Sequence, residues 1–258
     1  MRIIDTHCHL NDDKLYPIAS EVIQRAYDKG VSDFFNNGDS LPSFERILSL
    51  SKRYQSCHAV LGIHPEFAAS GDEYFTEAYK IIKENRDNIF AIGEIGLDYH
   101  YDKSEETKEI QKQRFKEQIN LAMDLSLPIV IHSRDADRDT FDIIKEILPP
   151  SIDLHCYSGS YELLKEYLRL PIKMHIGIGG VSTFKNAKTL QEIIINAPEK
   201  ILLTETDCPY LAPVPHRGET NEPMYLPLII ERIASLRGTD VEEMAEILYR
   251  NGKSFYGI

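Results

Sequence analysis

The chain has 258 residues, with 29 basic against 41 acidic side chains and a formal net charge of −12. That length suits one domain the size of a barrel of about 250 residues, and it buries enough surface to fold without disulfides. The acidic balance excludes an extended groove binder of duplex nucleic acid, which needs a basic footprint. It leaves room for an enzyme that addresses one phosphate, because bound divalent ions add positive charge locally.

Apolar runs alternate with amphipathic stretches from end to end. The pattern predicts a strand over Arg2–Cys8, then a helix from Asn11 or Asp12 to Lys29 that stops at Gly30. Strand Asp33–Asn37 precedes helix Leu41–Tyr54, His58–Ile63 precedes Asp72–Asn85, and Ile89–Ile95 precedes Glu105–Asp124. Pro128–His132 leads to Ala136–Leu148, Ile152–His155 to Ser160–Leu170, and Lys173–Gly177 to Asn186–Asn196. An eighth strand, Ile201–Glu205, is followed by the Pro-rich stretch Pro209–Pro227 and by helices Met224–Leu236 and Val241–Tyr249. Several strands are continuous apolar runs, as expected where both faces are buried. Eight such units predict an α/β fold, a (β/α)8 TIM barrel, in one domain spanning 1–258. An open doubly wound sheet is the rival, but Gly177-Ile178-Gly179-Gly180 has neither the spacing nor the flanks of a dinucleotide-binding turn.

No apolar run approaches the ~20 residues of a membrane span. The first residues read as a strand, with no signal-peptide pattern. Cys8, Cys57, Cys156 and Cys208 form no C-x-x-C pair and read as buried packing residues. A cytoplasmic setting is expected, and no stable protein partner is indicated.

Four apolar runs end in metal-type ligands: His7 and His9, Glu94, His132, and Asp207, with His155 closing a further strand. Alternate residues of a strand point the same way, so His7 and His9 can face one ion. Asp5 shares their face and is expected to orient a ligand from behind. Glu94, flanked by glycines, can bridge two ions with its two oxygens. Ligands far apart in sequence converge if each ends a parallel barrel strand. His64, after a strand in Gly62-Ile63-His64-Pro65, reads as a ligand or as a phosphate or leaving-group contact. Arg134 can grip a phosphate with two donors, and Glu205 shares a strand face with Asp207 and is expected to reach the same cavity. His58, His100 and His175 read as structural, and His216 as structural or part of a substrate loop. Tyr99, Tyr157 and Tyr210 follow ligand strands and are expected to pack at the mouth or to stack on a base.

The segments Asp5-Thr6-His7-Cys8-His9-Leu10, Gly62-Ile63-His64-Pro65, Gly93-Glu94-Ile95-Gly96-Leu97-Asp98-Tyr99 and His132-Ser133-Arg134 resemble the TatD family of metal-dependent hydrolases. His155-Cys156-Tyr157-Ser158-Gly159, Glu205-Thr206-Asp207-Cys208-Pro209-Tyr210-Leu211 and His216-Arg217-Gly218 with Asn221-Glu222-Pro223 extend the likeness to nearly the whole chain. The resemblance implies His7, His9, Glu94, His132, His155 and Asp207 as ligands of divalent ions (two Mg, Mn or Zn per chain). It implies deoxyribonuclease activity on DNA, taken here as removal of nucleotides from single-stranded ends. In that reading Asp207 and Glu94 are catalytic, and His64, Arg134 and Glu205 contact substrate. A lactonase, amidase or phosphotriesterase would use the same activated water, but the position where a carboxylated lysine would serve such enzymes holds Glu94. A non-catalytic metal-binding protein is the remaining alternative, although no ligand is missing.

Overall fold

The computed structural model describes residues 2–258. Eight parallel strands follow one another in the order β1 to β8. They are β1 (Ile3–Cys8), β2 (Val31–Asn37), β3 (Cys57–Leu61), β4 (Ile89–Asp98), β5 (Ile129–Arg134), β6 (Ser151–Leu154), β7 (Lys173–Ile178) and β8 (Leu202–Thr204). The helices that return the chain are α1 (Ala19–Tyr27), α2 (Ser43–Arg53), α3 (Asp72–Glu84), α4 (Glu105–Asp124), α5 (Asp137–Ile147), α6 (Tyr161–Tyr167) and α7 (Lys188–Asn196), followed by α8 (Leu226–Arg237) and α9 (Val241–Tyr256). This is a (β/α)8 barrel.

Local chemistry explains the element ends. The α4 N-terminus is capped by Ser104, whose side chain accepts from the Thr107 N–H, with Glu105 and Glu106 in the first turn. The first helix starts at Ala19, later than the pattern predicts. Asp12 ends the preceding loop in its own turn, its carbonyl accepting from Leu15 and Tyr16, and Pro17 then offers no N–H to a helix interior. The last helix runs to Tyr256, seven residues past the predicted end, with Asp240 capping its start.

That extension plugs the barrel. Tyr249, Phe255 and Tyr256 of α9 join Ile4, Phe35, Val60, Ala91, Val130 and Leu203 in an interior cluster separate from the helix–sheet core. The Tyr256 ring stacks on Phe35 at 3.4 Å between centroids, and its hydroxyl donates to the Thr6 carbonyl at 2.7 Å. The N-terminal end of the barrel is therefore closed by aromatic packing, and the open end is the C-terminal face, where (β/α)8 enzymes carry their chemistry.

The strands form no regular ladder between β8 and β1. Side chains close that seam instead. Thr6 Oγ1 donates to the Thr204 carbonyl (2.9 Å) and Thr204 Oγ1 to the Ile4 carbonyl (3.3 Å). Asp5 accepts from the Thr206 N–H (3.0 Å) and Thr206 Oγ1 (2.6 Å). Just above, the Asp207 N–H donates to the His7 carbonyl and the His9 N–H to the Cys208 carbonyl, both at 2.9 Å.

Candidate metal centre

The six residues singled out as ligands converge at the C-terminal face. His7 Nε2 and His9 Nε2 lie 3.1 Å apart. Two nitrogens bound at 2.0–2.1 Å in a tetrahedral arrangement would stand about 3.3 Å apart, so this pair is spaced for a common ion. Glu94 Oε2 is 3.4 Å from His7 Nε2 and 3.6 Å from His9 Nε2. Asp207 Oδ1 is 3.3 Å from His9 Nε2 and 3.8 Å from His7 Nε2.

The other oxygen of Glu94 serves a second group. Its Oε1 accepts from His132 Nδ1 at 2.7 Å and lies 3.6 Å from His155 Nε2. His155 Nε2 is also 3.8 Å from Asp207 Oδ1. Two donor sets thus share one carboxylate, each with the atoms close enough to hold a metal ion.

The imidazoles are oriented from behind, as metal-binding histidines commonly are. His9 Nδ1 faces the Asn37 carbonyl at 3.0 Å, and His132 Nε2 faces Asp98 Oδ2 at 3.1 Å. His155 Nδ1 lies 3.2 Å from Glu205 Oε2. Glu205 has no exposed surface, and its Oε1 accepts from the Cys156 N–H at 2.6 Å. The expectation of a substrate contact at Glu205 is corrected accordingly: it sits beneath His155, out of reach of the cavity. Asp5 is likewise corrected; it binds the His7 N–H and Thr206 in the seam rather than a ligand ring.

Electrostatics fit a cation site. Burial opposes ionisation of Glu94, but His155, His7 and His132 outweigh it and hold the carboxyl well below its usual range. Burial likewise opposes charge on Asp207, yet His155, His9 and His7 keep it low. Burial and the neighbouring His155 lower His7 to about 4. His9 and His132 rise to about 9, because Asp207 and Glu94 for the one, and Asp98 and Glu94 for the other, overcome burial. In the metal-free protein at neutral pH these two rings hold protons that a cation must displace. We expect metal binding at pH 7 to release protons and its apparent affinity to climb as pH rises toward about 9. Calorimetric titration in two buffers of different ionisation heat reads that release; equal heats in both would overturn the prediction.

His64 has a different role. Its Nδ1 accepts from the Glu66 N–H at 3.2 Å, and burial together with His132 lowers its pKa to about 4, so the ring is neutral with its proton on Nε2. That Nε2–H lies 3.9 Å from Glu94 Oε1, and the ring stands close enough to Asp98 and His132 to share an ion with them. Arg134 lines the same cavity, its guanidinium 5.3 Å from the Tyr101 ring centre. His216 packs on Tyr225 at 4.2 Å, away from the residues that line the cavity. Tyr99 donates to Asp139 and Tyr157 to the Ser160 carbonyl, whereas Tyr210 lines the mouth. Asp98 escaped the sequence reading. The signal was available, since Glu94, Gly96 and Asp98 share one face of a strand that runs on to Asp98. Replacing Asp98 with Asn is expected to weaken metal binding roughly 10–100-fold, read as the metal dissociation constant.

The chain is also similar to known proteins over nearly its whole length. Residues 4–257 match the family model described as TatD related DNase. The chain belongs to the TatD family. It is 39% identical over 260 residues to the uncharacterized metal-dependent hydrolase YabD of Bacillus subtilis (strain 168), covering 99% of each chain. It is 35% identical to the uncharacterized metal-dependent hydrolase MJ1582 of Methanocaldococcus jannaschii, covering 99% of this chain and 97% of the relative. Among solved structures, YJJV, a TatD homologue from Escherichia coli K12, superposes with a TM-score of 0.92 at 28% identity, covering 100% of this chain and 98% of the other. The protein is therefore a TatD-family metal-dependent hydrolase on a (β/α)8 barrel. No helix among the described residues is long and apolar enough to cross a membrane.

Proposed function

We propose that this TatD-family hydrolase is a deoxyribonuclease that removes nucleotides from single-stranded DNA ends with two divalent ions, Mg, Mn or Zn. The observation that carries the reading is the carboxylate of Glu94, whose two oxygens face two separate donor sets 2.7–3.6 Å away on the floor of one cavity. His7, His9 and Asp207 would hold one ion with Glu94 Oε2. His132 and His155 would hold the other with Glu94 Oε1. The donor set fits: the facing atoms of each group lie close enough together for a common ion, and a mixed imidazole–carboxylate set suits borderline divalent ions. Bound ions supply an activated water at neutral pH and positive charge for the phosphate.

This chain's own groups do the rest. Asp207, held ionised, accepts the proton of the attacking water. His64 donates its Nε2–H to a phosphate oxygen or to the leaving oxygen. Arg134 pairs with a phosphate. The cavity, about 540 Å3, is of a size that holds one small ligand, and Tyr101 (73% exposed) and Tyr210 (51% exposed) flank it as platforms for unpaired bases. The four free thiols suit the reducing cytoplasm.

The test is cleavage of 5′-labelled and 3′-labelled single-stranded DNA by chelated protein restored with Mg2+, Mn2+ or Zn2+. Stepwise, metal-dependent shortening from one end is the expected result. Absence of cleavage by metal-loaded protein, with turnover of lactone or amide substrates, would overturn it.

A further inference from the structure

Two recesses of more than 200 Å3 adjoin the metal cavity, about 360 and 240 Å3, and their charges differ. The first shares Glu66, Asp98 and Tyr101 with the cavity and adds Asp102; no lysine or arginine lines it. The second shares Cys156 and Ser158 with the cavity and reaches Lys188 on the first turn of α7. No carboxylate lines the second recess. The cavity itself carries six carboxylates, and Arg134 is the one lysine or arginine on its walls.

A strand with one phosphate at the ligand cluster must send its neighbouring phosphates across the rim. The first recess meets them with like charge, which raises the free energy of the bound strand. The second meets them with a cation. Its walls are also suited to a nucleoside: Val181, Leu190 and the backbone at Gly177 and Gly179 give an apolar slot, and Ser158, Asn186 and Thr189 offer hydrogen-bonding groups at its edge.

From this we infer that the recess between Cys156 and Leu190 binds the nucleoside adjacent to the scissile phosphate, with Lys188 on the next phosphate, so that the strand leaves the metal cavity over β6, β7 and α7. The inference rests on the nuclease reading above and adds the path of the substrate. It makes the enzyme's grip depend on length: a dinucleotide carries a second phosphate through the recess to Lys188, and a mononucleotide at the metal site has none to offer.

The experiment measures dissociation constants of pdT, pdTpdT and pdTpdTpdTpdT on full-length protein in Ca2+, with DNA cleavage in Mn2+ measured in parallel. Wild type should gain about tenfold in affinity from pdT to the longer ligands. Lys188→Glu and the slot-filling Ala187→Phe should lose that gain. Lys52→Glu, the same charge reversal on the last turn of α2 at the opposite end of the barrel, should keep it. A gain that persists in Lys188→Glu and in Ala187→Phe, or a wild type that cleaves DNA without any gain, overturns the path alone. A wild type that neither binds these ligands nor cleaves DNA overturns the path together with the nuclease reading.

Discussion

Replacing Glu94 with Ala should empty both donor sets at once and reduce turnover by roughly 10^3-fold or more, since bound ions contribute several kcal/mol at about 1.4 kcal/mol per tenfold. The expectation follows from the sharing: one oxygen faces His7 and His9, the other His132 and His155. Losing one shared carboxylate removes an anion from each set and leaves imidazoles crowded in a buried space. His7 and His155 stack with centroids 3.5 Å apart, an arrangement that is unfavourable once either ring is charged without a neighbouring carboxylate. Glu94→Gln keeps the volume and one oxygen, so it should retain metal in one set and lose it in the other. Metal content of dialysed protein by mass spectrometry, with hydrolysis of bis(p-nitrophenyl) phosphate alongside, separates these outcomes. Full metal content and turnover in Glu94→Ala would sink the shared-carboxylate account.

Gly177→Ala should have the second largest effect, although residue 177 touches no candidate ligand of a metal ion. A Cβ at 177 would occupy the space of the Glu205 carboxylate. That carboxylate binds the Cys156 N–H and stands behind His155. Both sites are buried, so Glu205 has nowhere to withdraw. Overpacking of this kind costs about 1–3 kcal/mol, and a displaced partner behind a ligand histidine costs about 10–100-fold in metal affinity or activity. Melting temperature and metal affinity should therefore fall together. The double variant Gly177→Ala/Glu205→Asp shortens the side chain by one methylene and should recover part of both. An unaltered metal affinity in Gly177→Ala would remove Glu205 from the site.

Most of the ligand set was legible because each member closes an apolar run, a pattern that survives without knowledge of the fold. Alternation along strands was reliable only while the strand lasted. It set His7 beside His9, their Nε2 atoms 3.1 Å apart, one within the last residues of β1 and the other on the residue that follows it. It failed for Glu205 and Asp207: β8 ends at Thr204, and Asp207 has φ 56°, so the two residues do not share a strand face. The Asn37 carbonyl behind His9 left no trace, because a backbone acceptor has no side-chain signature. The length of α9 was missed for a different reason. Phe255 and Tyr256 continue the buried stripe of Met244, Leu248 and Gly252, but the polar, glycine-containing run Arg250-Asn251-Gly252-Lys253-Ser254 breaks the apolar pattern after Tyr249. The Pro-rich stretch after β8 is ordered by Asn221, whose amide donates to the Thr206 and Tyr210 carbonyls at 2.7 Å, a bond across fifteen residues that composition alone does not reveal.

The seam between β1 and β8 has a bearing on how the protein assembles. Every other neighbouring pair of strands is joined by a parallel ladder, but this one joins residues about two hundred positions apart, as Thr6 to Thr204 and Asp5 to Thr206. Contacts of such high sequence separation form late, after the loop-closure entropy has been met. His7 and His9 stand on one side of that joint and Asp207 on the other. A cation that binds all three acts as a clasp, holding together the two strands that meet last. Removal of that cation is therefore expected to let the β1–β8 joint open more often, read as faster amide exchange on both sides of the seam in chelated protein.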